Sequence, residues 1–161
     1  MTRIGIIGGS GLENPDILTG QEDIVTDTPY GRTASPLLSG TINKKNVVIL
    51  SRHGRDHTVP PSQVNNRANI WSLKEAGCTH ILATTACGSL REEMGRGDIV
   101  IPDQFIDFTH HRVHTFFEEF EQGKMRHTPM ADPFDAGLRR LIIASAQSAG
   151  IAVHDRGTII T

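Results

Sequence analysis

The sequence predicts an α/β fold formed by a single domain of residues 1–161, and three observations support this prediction. Short β-branched runs alternate along the chain with segments of helical periodicity. Glycines and prolines stand at the ends of these runs, where they favour turns. The length of 161 residues fits one hydrophobic core, since domains usually contain roughly 100 to 200 residues.

The strand predictions come from runs rich in Ile, Val, Leu and Thr. The run at 3–8 stops at glycines, which is typical of a buried first strand, and the runs at 36–42 and 45–50 predict a hairpin. Because the chain reaches its last position within the β-branched run "TIIT", we expect Thr161 to lie inside a sheet. The predicted strands are residues 3–8, 36–42, 45–50, 79–89, 97–107 and 151–161.

Two segments predict helices. Residues 62–77 follow two prolines and carry apolar positions at helical spacing, with Ser62 as the expected N-cap and Gly77 at the C-terminal end. Residues 135–149 repeat this spacing and precede Gly150. The segment from Phe108 to Met130 is polar and aperiodic, so we expect a long functional loop there.

Composition limits the kinds of partner. A formal charge of −2 does not favour binding to nucleic acids or membrane surfaces through bulk electrostatics. Cys78 and Cys87 lie too far apart for a CxxC pair and are expected to be reduced thiols. No apolar run reaches the roughly 20 residues of a membrane span, and the N-terminus lacks a signal-peptide pattern, so a cytoplasmic location is expected.

Three predicted strand ends carry donors suited to an anion. Residues 8–11, Gly-Gly-Ser-Gly, can turn backbone N–H groups and the Ser10 hydroxyl toward an oxyanion, although a glycine-rich turn without a ligand is the alternative. Arg52 and His53 follow the second strand of the hairpin and can hold two oxygens of one anion. Thr85 and Ala86 belong to the small residues that end the β-rich run at 79–89, and they offer a hydroxyl and a backbone N–H just past its apolar part. Because ligands of α/β sheets gather at strand ends, we infer one shared phosphate site.

Other chemistries are less well supported. The glycine-rich run does not match the dinucleotide fingerprint, because Asn14 occupies the place of its last glycine, and no lysine follows to make a P-loop. His110, His111 and His114 invite a metal interpretation, but no Cys or carboxylate cluster completes a ligand set, so no metal is predicted. No nucleophile elbow is present, and Cys87 lacks a recognisable base.

The residues that carry these motifs also carry a resemblance. "IGIIGGSGLE", the block from "SRHGRDHTVPP" through "TTACGSLREE" to "GDIVIPDQFID", and "HTPMADPF" resemble the N-terminal half of the S-methyl-5'-thioadenosine phosphorylases, trimeric members of the purine nucleoside phosphorylase family. The resemblance implies an α/β sandwich in which helices flank a mixed central sheet. It is weaker over residues 109–126.

The resemblance also implies roles for individual residues. Ser10, Arg52, His53, Thr85 and the backbone of Ala86 correspond to the phosphate site. His127, in "HTPM", corresponds to a residue that covers the 5'-methylthio group of the substrate held by the neighbouring subunit of a trimer. The catalytic acid that protonates the purine has no counterpart here, because it belongs to the C-terminal half of the family.

The implied reaction is phosphorolysis of S-methyl-5'-thioadenosine to adenine and 5-methylthioribose 1-phosphate, a pentosyl transfer of purine and methionine salvage. Phosphate is a co-substrate, and no cofactor is implied. A second polypeptide that supplies the C-terminal half is one way to complete the site. The alternatives are another purine nucleoside or methylthioinosine phosphorylase and a phosphate-binding half-fold without catalysis.

Overall fold

A computed structural model describes residues 2–9, 11–12 and 16–161. The chain divides into two compact units, residues 1–87 and 88–161. Across the described residues, no helix combines the length and the apolar character needed to cross a membrane.

The first unit is organised around a five-stranded mixed sheet. Its strands lie in the order β2-β3-β4-β1-β5, with β1 parallel to β4 and β5, and β3 antiparallel to β2 and β4. The α/β fold with a mixed central sheet is therefore confirmed. The strands are β1 Arg3–Gly8, β2 Thr19–Ile24, β3 Leu37–Ile42, β4 Lys45–Ser51 and β5 His80–Ala83.

The core sits on both faces of β4. Val47 and Ile49 pack with Leu18 and Leu38 on one face, whereas Val48 and Leu50 pack on the other with a second buried cluster. Successive side chains of a strand point to opposite faces, so one apolar strand supplies both clusters. The second cluster also includes Leu37 and Leu73.

The predicted hairpin is confirmed as β3 and β4, which pair antiparallel from Leu38–Ile49 to Ile42–Lys45. Asn43 and Lys44 connect them with φ angles of 46° and 63°. Two consecutive residues with positive φ form the kind of two-residue turn that matches the twist of paired strands.

The predicted first helix exists as α1, Asn66–Glu75, but Ser62 as its N-cap is wrong. The second of two consecutive prolines begins a short 3-10 turn, Pro61–Gln63, and the chain becomes extended again at Val64. The cap is Asn65, whose side chain accepts a hydrogen bond from the backbone N–H of Ala68 at 3.1 Å. Gly77 follows the helix with a φ of 77°, which glycine adopts without a steric penalty.

The second unit contains the helix α2, Ala136–Ser148, as predicted, and Asp135 caps it by accepting from the N–H of Leu138. Two short parallel pairs accompany it: β6 Ile99–Val100 with β8 Val153–His154, and β7 Gln104–Ile106 with β9 Thr158–Ile160. Thr161 donates to Ile106 and accepts from Phe108, so it continues the second pair as expected. Residues 107–135 contain no helix or strand, which confirms the predicted loop.

Candidate functional site

The candidate site lies in the first unit, at the edge of the sheet where β4, β1 and β5 end. These three strands are parallel neighbours, with Gly8 paired to Ser51 and Ile7 paired to Ala83. Their carboxyl ends therefore meet at one edge, the usual place for ligands of open α/β sheets. The loops that follow these strands are the ones in which the sequence predicted anion donors.

Arg52 links these strand ends. Its backbone N–H donates to the carbonyl of Gly8 at 3.4 Å. Its side chain donates from Nη1 to the Thr84 carbonyl at 2.7 Å and from Nη2 to Thr85 Oγ1 at 3.4 Å. A guanidinium carries five N–H donors in one plane, so these two side-chain bonds fix its orientation and leave donors for a ligand.

Gly9 provides the space that the guanidinium occupies. A β-carbon on residue 9 would lie 2.8 Å from Nη2 and 3.0 Å from Nη1 of Arg52. Such contacts are far inside van der Waals distance, so any side chain there would displace Arg52. Part of the glycine-rich run is therefore needed for the placement of Arg52.

His53 is held by the loop that contains it. Its Nδ1 lies 2.8 Å from the carbonyl oxygen of Val59, and the N–H of Val59 donates back to the carbonyl of His53 at 3.0 Å. Since a carbonyl only accepts, Nδ1 carries a proton, and Nε2 is the nitrogen left for a ligand. The ring also packs against His57, with 4.9 Å between centroids.

A cleft of about 360 Å³ opens beside Arg52. This volume lies in the range of roughly 300–1,000 Å³ that is usual for small-molecule sites. None of the described residues that line the cleft is acidic, and one is a cation, so an anion would meet a complementary surface. The lining residues are Gly9, Arg52, Thr84, Thr85 and Ala86.

The structure thus brings together part of the predicted site. Arg52, Thr85 and Ala86 share the cleft, whereas His53 is not among its lining residues. Ser10 lies outside the described residues. His127 belongs to the second unit, where it is exposed within the loop of residues 107–135.

Sequence reasoning missed two groups that shape this edge. The Thr84 carbonyl and the Val59 carbonyl hold Arg52 and His53, but every residue has a backbone carbonyl, so no sequence signal marks them. It also missed the ion pair between Arg55, in the loop after β4, and Asp23 of β2. The hydrogen bonds from Arg55 lower the pKa of the Asp23 carboxyl below its ordinary value.

The remaining titratable groups of interest lie apart from the cleft lining. Burial raises the pKa of the Cys78 thiol, which is half-buried, and Cys87 is exposed next to Ala86. Among the described residues, His, Cys, Asp and Glu side chains form no group of three or more that could hold a metal ion. In the second unit, His114 pairs instead with Asp107 at 3.1 Å.

Comparison with known proteins shows which family the chain resembles. The sequence profile of the Phosphorylase superfamily matches residues 3–161. S-methyl-5'-thioadenosine phosphorylase of Danio rerio is 51% identical over 161 residues, which are 99% of this chain and 58% of that protein. The enzyme of the same name from Hyperthermus butylicus is 49% identical over 157 residues, 98% of this chain and 56% of that protein.

Solved structures give the same result for the fold. Methylthioadenosine phosphorylase from Schistosoma mansoni, in complex with tubercidin, is 38% identical with a TM-score of 0.91, and the match covers 100% of this chain and 63% of that one. The chain therefore spans somewhat more than half the length of the curated relatives it matches. The resemblance identified from the sequence is confirmed, and the chain belongs to the Phosphorylase superfamily.

Proposed function

We propose that this chain takes part in the phosphorolysis of S-methyl-5'-thioadenosine and that residues 1–161 form the N-terminal portion of one phosphorylase domain. The observation that carries the proposal is Arg52, which joins three strand ends beside a cleft whose described lining residues include no acid. Relatives about half identical to the chain bear the name of this activity.

In this proposal the chain binds and orients inorganic phosphate. Arg52 and the Thr85 hydroxyl hold phosphate oxygens, with the N–H of Ala86 and the Ser10 hydroxyl as further donors and His53 as a second charged contact. Fixed phosphate stabilises the positive charge that develops on the sugar as the glycosidic bond loosens, and then attacks C1'. This work requires position and charge and does not require Arg52 or His53 to transfer a proton.

We propose that binding and protonation of the purine depend on residues other than 1–161. Structures of the Schistosoma mansoni relative hold adenine or tubercidin. In this proposal, the groups that bind and protonate the purine lie outside residues 1–161. We propose that further sequence, in the same chain or in a second polypeptide, supplies them.

The assembly and location follow from the same resemblance. We propose a homotrimer in which His127 covers the 5'-methylthio group of a neighbouring subunit's substrate. Size-exclusion chromatography with light scattering tests the trimer, and a His127→Ala variant that leaves the KM for S-methyl-5'-thioadenosine unchanged contradicts the role of His127. Free Cys78 and Cys87 fit a reducing compartment, and we propose the cytoplasm.

The function is tested by adenine release from S-methyl-5'-thioadenosine with and without phosphate. Arg52→Ala is expected to abolish the phosphate-dependent part, and Arg52→Lys to restore little of it, because an ammonium lacks the planar fork. Inosine, guanosine and methylthioinosine complete the panel. If one of these is turned over much faster than S-methyl-5'-thioadenosine, the substrate assignment is wrong.

A second candidate is a phosphate-binding half-fold without catalysis, and the observation that favours it is a cleft whose described lining offers anion donors. Intact-mass spectrometry of natively purified protein, run under denaturing conditions, separates the two. A second polypeptide that accompanies the chain supports the enzyme. The 161-residue chain alone, binding phosphate without turnover, supports the half-fold.

A further inference from the structure

The loop that carries Arg52 and His53 is tied to the sheet on both of its sides. On one side, Arg52 donates to Thr84 and Thr85, which follow β5. On the other side, Arg55 donates from both terminal nitrogens to the two carboxylate oxygens of Asp23, near the end of β2.

The topology explains why Arg55 can reach Asp23. Strand β2 is antiparallel to β3, and β3 is antiparallel to β4, so β2 and β4 run in the same direction and end at the same edge. Asp23 pairs with Leu38, and Leu38 pairs with Ile49 two residues before the end of β4. Arg52 and Arg55 therefore connect one loop to strands on opposite sides of β4: Arg52 contacts the residues after β5, and Arg55 contacts β2.

The loop of residues 52–59 contains backbone conformations that contacts from outside the loop, such as the Asp23–Arg55 pair, can stabilise. Gly54 and His57 have φ angles of 79° and 54°. A left-handed conformation is unfavourable for a residue with a β-carbon and persists where the surroundings impose it. Hydrogen bonds from Gly54 to Ser51, at the end of β4, from His57 to Gly54 and from Val59 to His53 close the loop, but none of these three bonds reaches β2.

We propose that the Asp23–Arg55 ion pair positions the loop of residues 52–59 for phosphate binding, with both residues as positioning residues. This inference rests on the proposed phosphate site. Asp23 and Arg55 touch no cleft-lining residue in the described contacts, so they act through the loop and not on the ligand. The side chains are 47% and 37% exposed, and exposed pairs contribute little to global stability.

The direction in which Asp23→Asn changes phosphate affinity distinguishes positioning of the loop from a direct electrostatic effect on the anion. Asp23→Asn removes a negative charge near an anion site, and electrostatics alone would strengthen phosphate binding. Positioning predicts the opposite, a loss of roughly two- to fivefold in phosphate affinity, the size expected from an exposed pair. Glu22→Gln is the matched control, since it removes the same charge from the neighbouring position of β2.

The experiment is phosphate titration by calorimetry of the 161-residue protein and its Asp23→Asn, Arg55→Gln, doubly substituted and charge-swapped Asp23→Arg/Arg55→Asp forms. We expect both single variants to weaken binding, the double variant to weaken it no more than either single, and the swap to recover affinity. Melting temperatures should stay close to wild type.

Three outcomes overturn the inference. The first is an Asp23→Asn variant whose phosphate affinity is unchanged or higher than that of wild type. The second is a double variant in which the losses of phosphate affinity of the two single variants add. The third is a loss of phosphate affinity that parallels a loss of melting temperature across the variants. Wild-type protein that binds no phosphate contradicts the proposed function together with this inference. Wild-type binding with an unaffected Asp23→Asn variant contradicts only the inference.

Discussion

The Arg52 guanidinium lies over the backbone of Gly9, at a distance that leaves no room for a β-carbon on residue 9. Three strand ends are coupled by this contact, because Gly9 follows β1, Arg52 follows β4, and the acceptors of Arg52 follow β5. The atoms that would meet the β-carbon are the far end of a flexible side chain. A substitution at Gly9 can therefore displace Arg52 while the sheet remains folded.

Gly9→Ala is expected to weaken phosphate binding by roughly ten- to a hundredfold, the range for loss of a hydrogen bond to a charged group. The melting temperature should change by only a few degrees. Gly95→Ala is the control, because its β-carbon would meet nothing closer than 3.9 Å. Calorimetric titration with phosphate checks the prediction, and a Gly9→Ala variant with unchanged affinity would show that Arg52 is not the main anion contact.

Asn65 has two roles, since its Oδ1 caps α1 and its Nδ2 donates to the Tyr30 carbonyl at 2.6 Å. Asn65→Ala removes both bonds and is expected to lower the free energy of unfolding by about 1–3 kcal/mol. Asn65→Asp keeps the cap and should fall between wild type and alanine.

Ser62→Ala is the matched control for this helix, because Ser62 is exposed and does not cap it. Its effect should remain within about 0.5 kcal/mol. Urea denaturation of the four proteins provides the measurement. A larger effect for Ser62→Ala than for Asn65→Ala would contradict the assignment of the cap.

Local sequence patterns predicted most of the fold. The run at 3–8 and the helix at 135–149 match β1 and α2 closely, since β-branched stretches, a capping Asp135 and a terminal glycine act over a few residues. Strand β2 was missed because "TGQEDI" is polar and mostly exposed. Its conformation comes from the ladder with β3, which no local pattern reveals.

The candidate site was predictable to the extent that it depends on residue type and strand order. Arg52 and Thr85 stand out as anion donors directly after strands, and parallel pairing brings them together. The contacts that orient them are different in kind. The Thr84 and Val59 carbonyls are backbone groups, and Asp23 lies 32 residues from Arg55 in sequence, so only the folded chain shows these contacts.

The Asp98–His154 pair of the second unit predicts a dependence of stability on pH. The hydrogen bond from His154 Nε2, at 2.8 Å, and the N–H of Gly95 hold the pKa of the Asp98 carboxyl below its ordinary value of 3.8. A carboxyl whose pKa is lowered by folding stabilises the folded state above the unfolded pKa, and this contribution is lost as the pH falls through the folded value.

The stability difference between wild type and Asp98→Asn should therefore be full above about pH 4 and should shrink as the pH falls further. Urea unfolding at a series of pH values measures it. In His154→Ala, which removes this hydrogen bond, the carboxyl resonance of Asp98 should titrate at a higher pH than in wild type. If the stability difference between wild type and Asp98→Asn instead grows as the pH falls, the ionised Asp98 carboxylate does not stabilise the folded state.

The hydrogen bond between His53 and Val59 predicts a proton on Nδ1, so that an imidazolium would donate to phosphate through Nε2. Because Nδ1 lies 2.8 Å from a carbonyl oxygen, it must carry the proton, and the ring nitrogen shifts in NMR should identify the Nδ1–H form. His53→Asn places an amide N–H near the position of Nδ1, whereas His53→Gln places one near Nε2. Asn should therefore retain the bond to Val59 and a melting temperature near that of wild type, and Gln should lose about 1 kcal/mol. Phosphate titration of His53→Asn then isolates Nε2: weaker binding with an intact fold assigns this nitrogen to the anion, while unchanged binding limits His53 to holding the loop.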